Sequence, residues 1–121
     1  MTGPRILGCG GRDYCDRKWI AAHLDAFRAQ YGASVICTGG ARGADTLIDD
    51  WAVNHRIDRV VHPAEWDRYG KAAGAIRNVK MLQSFKPDVV IAFPGGNGTE
   101  HMVKISREAG VPVWCVAARI T

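Results

Sequence analysis

The stretch DVVIAFPGGNGTEH, residues Asp88 to His101, runs from an apolar segment through a glycine-rich turn into a segment with helical spacing. A run such as VVIAF, which has no polar alternation, is typical of a strand that helices cover on both faces. The glycine turn and the helical segment behind it complete a strand-loop-helix unit. The stretch therefore predicts a parallel sheet that contains a strand over Asp88–Phe93.

The same rhythm repeats along the chain, because short apolar runs alternate with longer segments of helical periodicity. The other predicted strands are Arg5–Cys9, Ser34–Thr38, Arg59–His62 and Val113–Ala117. The predicted helices are Asp16–Tyr31 with Asp16 as cap, Ala44–His55, a segment with the apolar stripe Ile76, Val79, Leu82 and Phe85, and Thr99–Ala109 followed by Gly110. This order predicts an α/β fold: a Rossmann-like parallel sheet of about five strands with helices on both faces.

Length and composition limit the classes of protein that the chain can represent. Its 121 residues predict a single domain over 1–121, and 47% hydrophobic with 23% charged residues is typical of a globular protein. No apolar run approaches the roughly 20 residues of a membrane-spanning helix, and the first residues lack the order of a signal peptide. We therefore expect a cytoplasmic protein with no membrane partner.

The cysteines and histidines do not form a metal-binding pattern. The four cysteines lack CxxC spacing, and the four histidines lack HExxH or zinc-finger spacing. Cys9, Cys37 and Cys115 lie in or beside apolar runs, so we expect buried free thiols. We predict neither a metal nor a cofactor.

Three glycine-rich loops follow predicted strands: GCGGRD at Gly8–Asp13, TGGARGAD at Thr38–Asp45, and PGGNGTEH at Pro94–His101. In a parallel sheet all such loops emerge at one edge. Glycine lets backbone N–H groups at the start of a helix approach an anion, and arginine can fork onto phosphate. The loops thus predict a phosphate-bearing ligand. The alternative is that the glycines only form tight turns.

The residues predicted to bind this ligand come from the loops and from the segment after the third strand. They are Gly10, Gly11, Arg12, Asp13, Gly39, Gly40, Arg42, Gly43, Asp45, Trp66, Asn78, Pro94, Gly95, Gly96, Asn97, Gly98 and Thr99. Two standard fingerprints are absent from the sequence. No loop supplies the Gly-Lys-Ser/Thr of a P-loop, and Asp13 stands where GxGxxG needs its last glycine.

Three blocks resemble a known family when they are taken in order: TGGARGAD, PAEWDRYGKAAGAIRN and AFPGGNGTEHM. They are similar to the YspA-like (cpYpsA-related) family of the SLOG superfamily, and the resemblance covers nearly the whole chain. It implies a Rossmann-like fold that binds a nucleotide or a nucleotide-derived ligand at the glycine loops. It also implies proteins that are often associated with phage or bacterial conflict systems.

The superfamily includes the LOG-type phosphoribohydrolases, whose loop continues as PGGxGTxxE and which use a catalytic arginine and glutamate. Here Met102 occupies the position of that glutamate, while Arg77 with Asn78 resembles the arginine-bearing helix. An enzyme that cleaves the N-glycosidic bond of a nucleotide would therefore use Glu65 or Glu100 as acid or nucleophile, together with Arg77.

Three functions compete at this point. The first is a sensor or carrier that binds a nucleotide, and the second is the N-glycosidase. The third is binding of single-stranded nucleic acid, which the net charge of +4 and the DprA relatives of the superfamily suggest. We place nucleic acid last, because the arginines concentrate at one sheet edge. A homodimer is the expected assembly.

Overall fold

The structure, a computed structural model, describes residues 2–119. Strands and helices alternate along the chain. In order they are β1 (Arg5–Cys9), α1 (Arg17–Tyr31), β2 (Val35–Thr38), α2 (Ala44–Asn54), β3 (Asp58–Val61), α3 (Trp66–Tyr69), a 3₁₀ turn (Gly70–Ala72), α4 (Ala73–Phe85), β4 (Val89–Ala92), α5 (Asn97–Glu108) and β5 (Val113–Cys115).

The five strands form one parallel sheet in the order β3-β2-β1-β4-β5. Leu7 of the central strand β1 is in register with Cys37 of β2 and with Val90 of β4. The chain moves outward from β1 in one direction through β2 and β3, then returns to the other side for β4 and β5. This reversal leaves a crevice beyond the carboxyl ends of β1 and β4, where ligands bind in open α/β sheets.

Helices cover both faces of the sheet, as predicted. Along β1, Ile6 packs in the cluster that contains α1 and α2 residues, whereas Leu7 packs with residues of α4 and α5. Alternate side chains of β4 divide in the same way, with Ile91 on the first face and Val90 on the second. Each face thus buries its own apolar layer, which explains why these strands carry continuous apolar runs.

Two helices differ from their predicted form. Helix α5 begins at Asn97, two positions before the predicted start, so Asn97 and Gly98 belong to its first turn. The predicted stripe of α4 is wrong at Val79, which is 39% exposed. The buried positions of α4 are instead Ala73, Asn78, Met81 and Phe85. The polar Asn78 is buried because it bonds to α5, which an apolar periodicity does not detect.

The outer strands are less covered than the central ones. All residues of β3 are exposed, and on the opposite side Cys115 of β5 is exposed, although a buried thiol was predicted there. Side chains point to the two faces of a sheet, and the helices cover those faces less completely at an outer strand. Within residues 2–119, no helix is long and apolar enough to cross a membrane.

Backbone contacts join the three glycine loops. The N–H of Gly11 donates to the carbonyl oxygen of Pro94 at 2.9 Å, and the N–H of Ala44 donates to the carbonyl oxygen of Gly11 at 3.0 Å. Gly43 allows the second bond, because its φ is 79° and a Cβ there would overlap the carbonyl oxygen of Arg12. Backbone hydrogen bonds therefore link all three loops directly.

This contact predicts different costs for two glycine substitutions. Gly43→Ala should lower the free energy of unfolding by about 2–4 kcal/mol, since the methyl group adds a steric overlap to an unfavourable φ. Gly110 has the same φ of 79°, but no described atom lies within 4 Å of its Cβ position. Gly110→Ala should therefore cost only about 1 kcal/mol. Urea unfolding of both variants measures the two free energies of unfolding. Equal losses of stability would contradict the close contact of Gly43 with the carbonyl oxygen of Arg12.

Candidate functional site

A cleft of about 560 Å³ opens at the carboxyl edge of the sheet, between the glycine loops and the amino ends of α4 and α5. It lies at the reversal point of the strand order. Most of the residues that the sequence predicted as ligand-binding line it. They are Gly10, Arg12, Asp13, Gly39, Asp45, Trp66, Asn78, Gly96, Asn97, Gly98 and Thr99, and Arg77 lines it with them.

The other predicted residues have different surroundings. Gly11 and Gly43 form the contacts between the loops, and a Cβ on Gly95 would overlap the side chain of Thr99. For these three glycines the tight-turn alternative accounts for the residue type. The remaining members of the predicted set lie outside the main cleft: Gly40 and Arg42 line a smaller adjoining cavity beside Trp66, and Pro94 lines a groove behind α5.

The two glutamates considered as catalytic acids do not line the cleft. Glu65 forms an exposed ion pair with Lys80, with 3.8 Å between the carboxylate oxygen and Nζ. Glu100 lies in the groove on the other side of α5. Met102, two positions further along the helix, does line the cleft. The buried carboxylate that the structure brings to the site is Asp45.

Arg77 fixes the wall of the cleft from the second turn of α4. Its Nη1 donates to the carbonyl oxygens of Gly39 at 2.6 Å and His62 at 3.3 Å. A Cβ on Gly39 would overlap the guanidinium, which explains the glycine at that position. Nη2 has no hydrogen-bond partner in the described part of the chain. This nitrogen leaves donors free for a ligand.

The ionisation of Arg77 and Asp45 follows from their burial. Burial lowers the pKa of Arg77 while the nearby Asp45 carboxylate opposes that shift, and a guanidinium with so high an ordinary pKa stays charged. Asp45 is 5% exposed, and its Oδ2 accepts a bond from the N–H of Ala41 at 3.1 Å. Burial raises the pKa of Asp45 to about 6, against the lowering effects of that bond and of Arg77. Asp45 therefore titrates close to neutral pH.

The thiol of Cys9 at the floor of the cleft is not a useful nucleophile. Burial, and next the Asp45 carboxylate, raise the pKa of this thiol far above its ordinary value. The reactive form of cysteine is the thiolate, which this environment disfavours. The chemistry available in the cleft thus comes from its carboxylate, its cationic side chains, the imidazole of His101 and backbone N–H groups.

The amino end of α5 faces the cleft without a cap. Helix α1 has its cap in Asp16, whose side chain accepts from the N–H of Trp19, but no described side chain caps α5. Gly96 and Gly98 line the cleft, and apart from their chain neighbours and the backbone of their own helix, no atom of residues 2–119 lies within 4 Å of the positions that their Cβ atoms would take. Neither has a positive φ. Packing therefore does not require glycine at these two positions.

An aromatic side chain forms the mouth of the cleft. Trp66, the first residue of α3, is 45% exposed, and the guanidinium of Arg12 lies 4.7 Å from the centre of its ring. This exposure rules out a core role for Trp66. Arg42 is less available, since it pairs with Asp13 at 3.1 Å on the surface.

Sequence reasoning missed several residues that line the cleft. They are Cys9, Ala41, Gly74, Ala75, Met81, His101 and Met102. One signal could have found His101, because it follows Gly98 by three positions and so shares a helix face with it. The small residues Gly74 and Ala75 lie in the block KAAGAIRN, where their size lets α4 border the cleft.

Three similarities to known proteins agree with this fold. Residues 4–69 match YAcAr, the YspA, cpYpsA-related SLOG family. The chain is 39% identical over 118 residues to the Gene 61 protein of Mycobacterium phage D29, across 90% of this chain and 93% of that protein. This viral relative agrees with the expected association with phage.

The crystal structure of glycinamide ribonucleotide transformylase 1 from Geobacillus kaustophilus is similar to this fold, with a TM-score of 0.50 and 14% sequence identity. The match covers 98% of this chain, which spans 60% of the length of that structure. At this identity the likeness concerns the fold alone. It confirms the expected Rossmann-like α/β architecture.

The raised pKa of Asp45 predicts a pH-dependent effect of Asp45→Asn. Because the folded state holds the proton more tightly than the unfolded state, wild-type stability contains a component that falls as pH rises from about 4 to about 6. The variant lacks this component, while its amide oxygen still accepts from Ala41. Its free energy of unfolding relative to wild type should rise by about 1–3 kcal/mol over that range. Denaturant unfolding at several pH values tests this, and a constant difference would contradict it.

Proposed function

We propose that this chain, which belongs to the YspA, cpYpsA-related SLOG family, binds a nucleotide or a nucleotide-derived ligand in the cleft and acts in the cytoplasm as a sensor or carrier. The observation that carries the proposal is the amino end of α5, which no described side chain caps and where Gly96 and Gly98 line the cleft without side chains. A phosphate group matches this end in size, charge and hydrogen-bonding needs.

The phosphate end of the ligand would lie against α5. The first-turn N–H groups of Asn97, Gly98 and Thr99 point along the helix toward that end, and the helix dipole favours negative charge there. Arg77 would add a charged donor through its free Nη2, and Lys71 lines the same cleft. These positive groups outweigh the single buried carboxylate of Asp45. The cleft therefore favours an anion.

The base of the nucleotide would lie toward Trp66. Its ring is half exposed at the mouth of the cleft and provides an aromatic surface on which a base can stack. Arg12 packs over the same ring, so its charge is held beside the opening. A cleft with donors at one end and an aromatic surface at the other supports a nucleoside phosphate rather than a simple anion.

Gly98→Ala separates ligand binding from folding. A methyl group there would occupy the space proposed for phosphate, yet it meets no described atom of the protein. Alanine also favours helix over glycine by up to about 1 kcal/mol. We expect unchanged or higher stability without ligand and at least ten-fold weaker binding. The probes are nucleoside mono-, di- and triphosphates, cyclic nucleotides and ADP-ribose, measured by thermal shift and calorimetry.

Gly110→Ala is the control, because Gly110 follows α5 at its other end. This variant should lose some stability but keep the ligand-dependent rise of its own melting temperature. If none of the probes stabilises the wild-type protein, the proposed nucleotide site is wrong. If Gly98→Ala binds as tightly as wild type, the phosphate does not lie at α5.

Hydrolysis of an N-glycosidic bond is the second candidate function, and the position of Asp45 favours it. A buried carboxylate that titrates near neutral pH beside the ligand can act as a general base. Ionised Asp45 would take a proton from the attacking water, whose oxygen forms a new bond to C1′. The C1′–N bond would break with its electron pair passing to the base, which leaves and takes a proton from solvent water.

This candidate predicts which carboxylate matters. If the wild-type protein releases a free base from any nucleotide of the panel, Asp45→Asn should lower the rate at least 100-fold. Glu65→Gln and Glu100→Gln should leave it within about two-fold, since neither residue lines the cleft. Chromatography of the products measures the rates. If a glutamate variant loses turnover, that glutamate is the catalytic carboxylate and the assignment to Asp45 is wrong.

A further inference from the structure

The buried amide of Asn78 connects α4, α5 and the cleft. Asn78 is 4% exposed, and its Oδ1 accepts from Nε of Arg77 at 3.0 Å. Its Nδ2 lies 3.1 Å from the carbonyl oxygen of Gly98 and 3.1 Å from Nδ1 of His101. Both polar atoms of the Asn78 side chain, Oδ1 and Nδ2, thus have polar partners.

The chemistry of these neighbours fixes the direction of every bond. A guanidinium cannot accept, so the atom of Asn78 that faces Arg77 is the oxygen. A carbonyl cannot donate, so the atom that faces Gly98 is the nitrogen. The second hydrogen of this nitrogen then points at Nδ1 of His101. Nδ1 must accept it, and the proton of the neutral imidazole is therefore on Nε2.

His101 lines the cleft on the same face of α5 as Gly98. Its ring is half-buried, and Nε2 lies on the side of the ring away from Asn78. Along residues 2–119 no protein group accepts a bond from Nε2. A hydrogen-bond donor fixed by buried groups thus has no protein acceptor among the described residues, and it lies beside the helix end proposed to bind phosphate.

We propose that His101 is a ligand-binding residue, which donates a hydrogen bond from its neutral Nε2–H to a phosphate oxygen of the bound nucleotide. Asn78 is the positioning residue, because it sets the proton on Nε2. This assignment rests on the proposed function, since it names a contact to the same ligand. It adds a neutral donor to the charged and backbone donors of the site.

Two substitutions of His101 distinguish the ring nitrogens. In His101→Gln the side-chain amide nitrogen can take the place of Nε2, whereas in His101→Asn the amide lies where Nδ1 was. With the four nucleoside monophosphates as probes in calorimetry, Gln should bind within about three-fold of wild type. Asn should bind about ten-fold more weakly, which is the usual loss for one hydrogen bond.

The position of the proton can be measured without any ligand. Long-range ¹H–¹⁵N spectra, recorded at a pH where the ring is neutral, should show the proton of His101 on Nε2. Asn78→Asp replaces the donor with an acceptor, so in that variant the proton should move to Nδ1. If Asn78→Asp fails to fold, the wild-type spectrum alone shows which ring nitrogen of His101 carries the proton.

The outcomes separate this assignment from the proposed function. A proton on Nδ1 in wild type overturns the assignment, whatever binds. If wild type binds a monophosphate and His101→Asn binds equally well, the assignment fails while the nucleotide site stands. If no monophosphate binds wild type, this phosphate contact is wrong, and the proposed function fails as well when the wider nucleotide panel also gives no binding. A proton on Nε2, with binding kept in Gln and lost in Asn, supports the assignment.

Discussion

The peptide groups of Gly11 hold the candidate site together. Its N–H bonds to Pro94 after β4, and its carbonyl bonds to Ala44 at the start of α2, so one residue joins three strand-end loops. Each loop follows a different strand, and the parallel sheet brings their ends to one edge. Because these contacts of Gly11 join backbone to backbone, they do not depend on the rotamer of a side chain.

The side chains of Arg77 and Asn78 add further hydrogen bonds between these segments and place a positive charge in the site. The guanidinium binds two carbonyl oxygens and the amide of Asn78, and that amide binds the first turn of α5. Buried polar groups are costly unless they have partners, so this network fixes the positions of the groups that it joins. The loop of β2, the helix α4 and the helix α5 thereby hold one relative arrangement at the cleft.

The sequence was sufficient to predict the sheet, the glycine loops and their common edge, because local patterns in VVIAF and PGGNGT determine them. It could not distinguish Gly96 and Gly98, which face open space, from Gly43 and Gly95, which pack against other loops. That difference depends on which backbones meet across the sheet. The choice between Asp45 and Glu65 was likewise hidden, since each follows a strand and only the packing of α2 and α3 decides which one is buried. His101 was missed because its role depends on Asn78, a polar residue from another helix.

The strand order also has a consequence for how the protein folds during synthesis. Strand β1 is made first and lies in the middle, yet one of its two neighbours is β4, which is synthesised only after about three quarters of the chain. Until then one edge of β1 has no strand beside it, and the contact of Gly11 with Pro94 cannot form. Pairings between distant parts of a chain form slowly. The cleft is therefore among the last parts of this molecule to be completed.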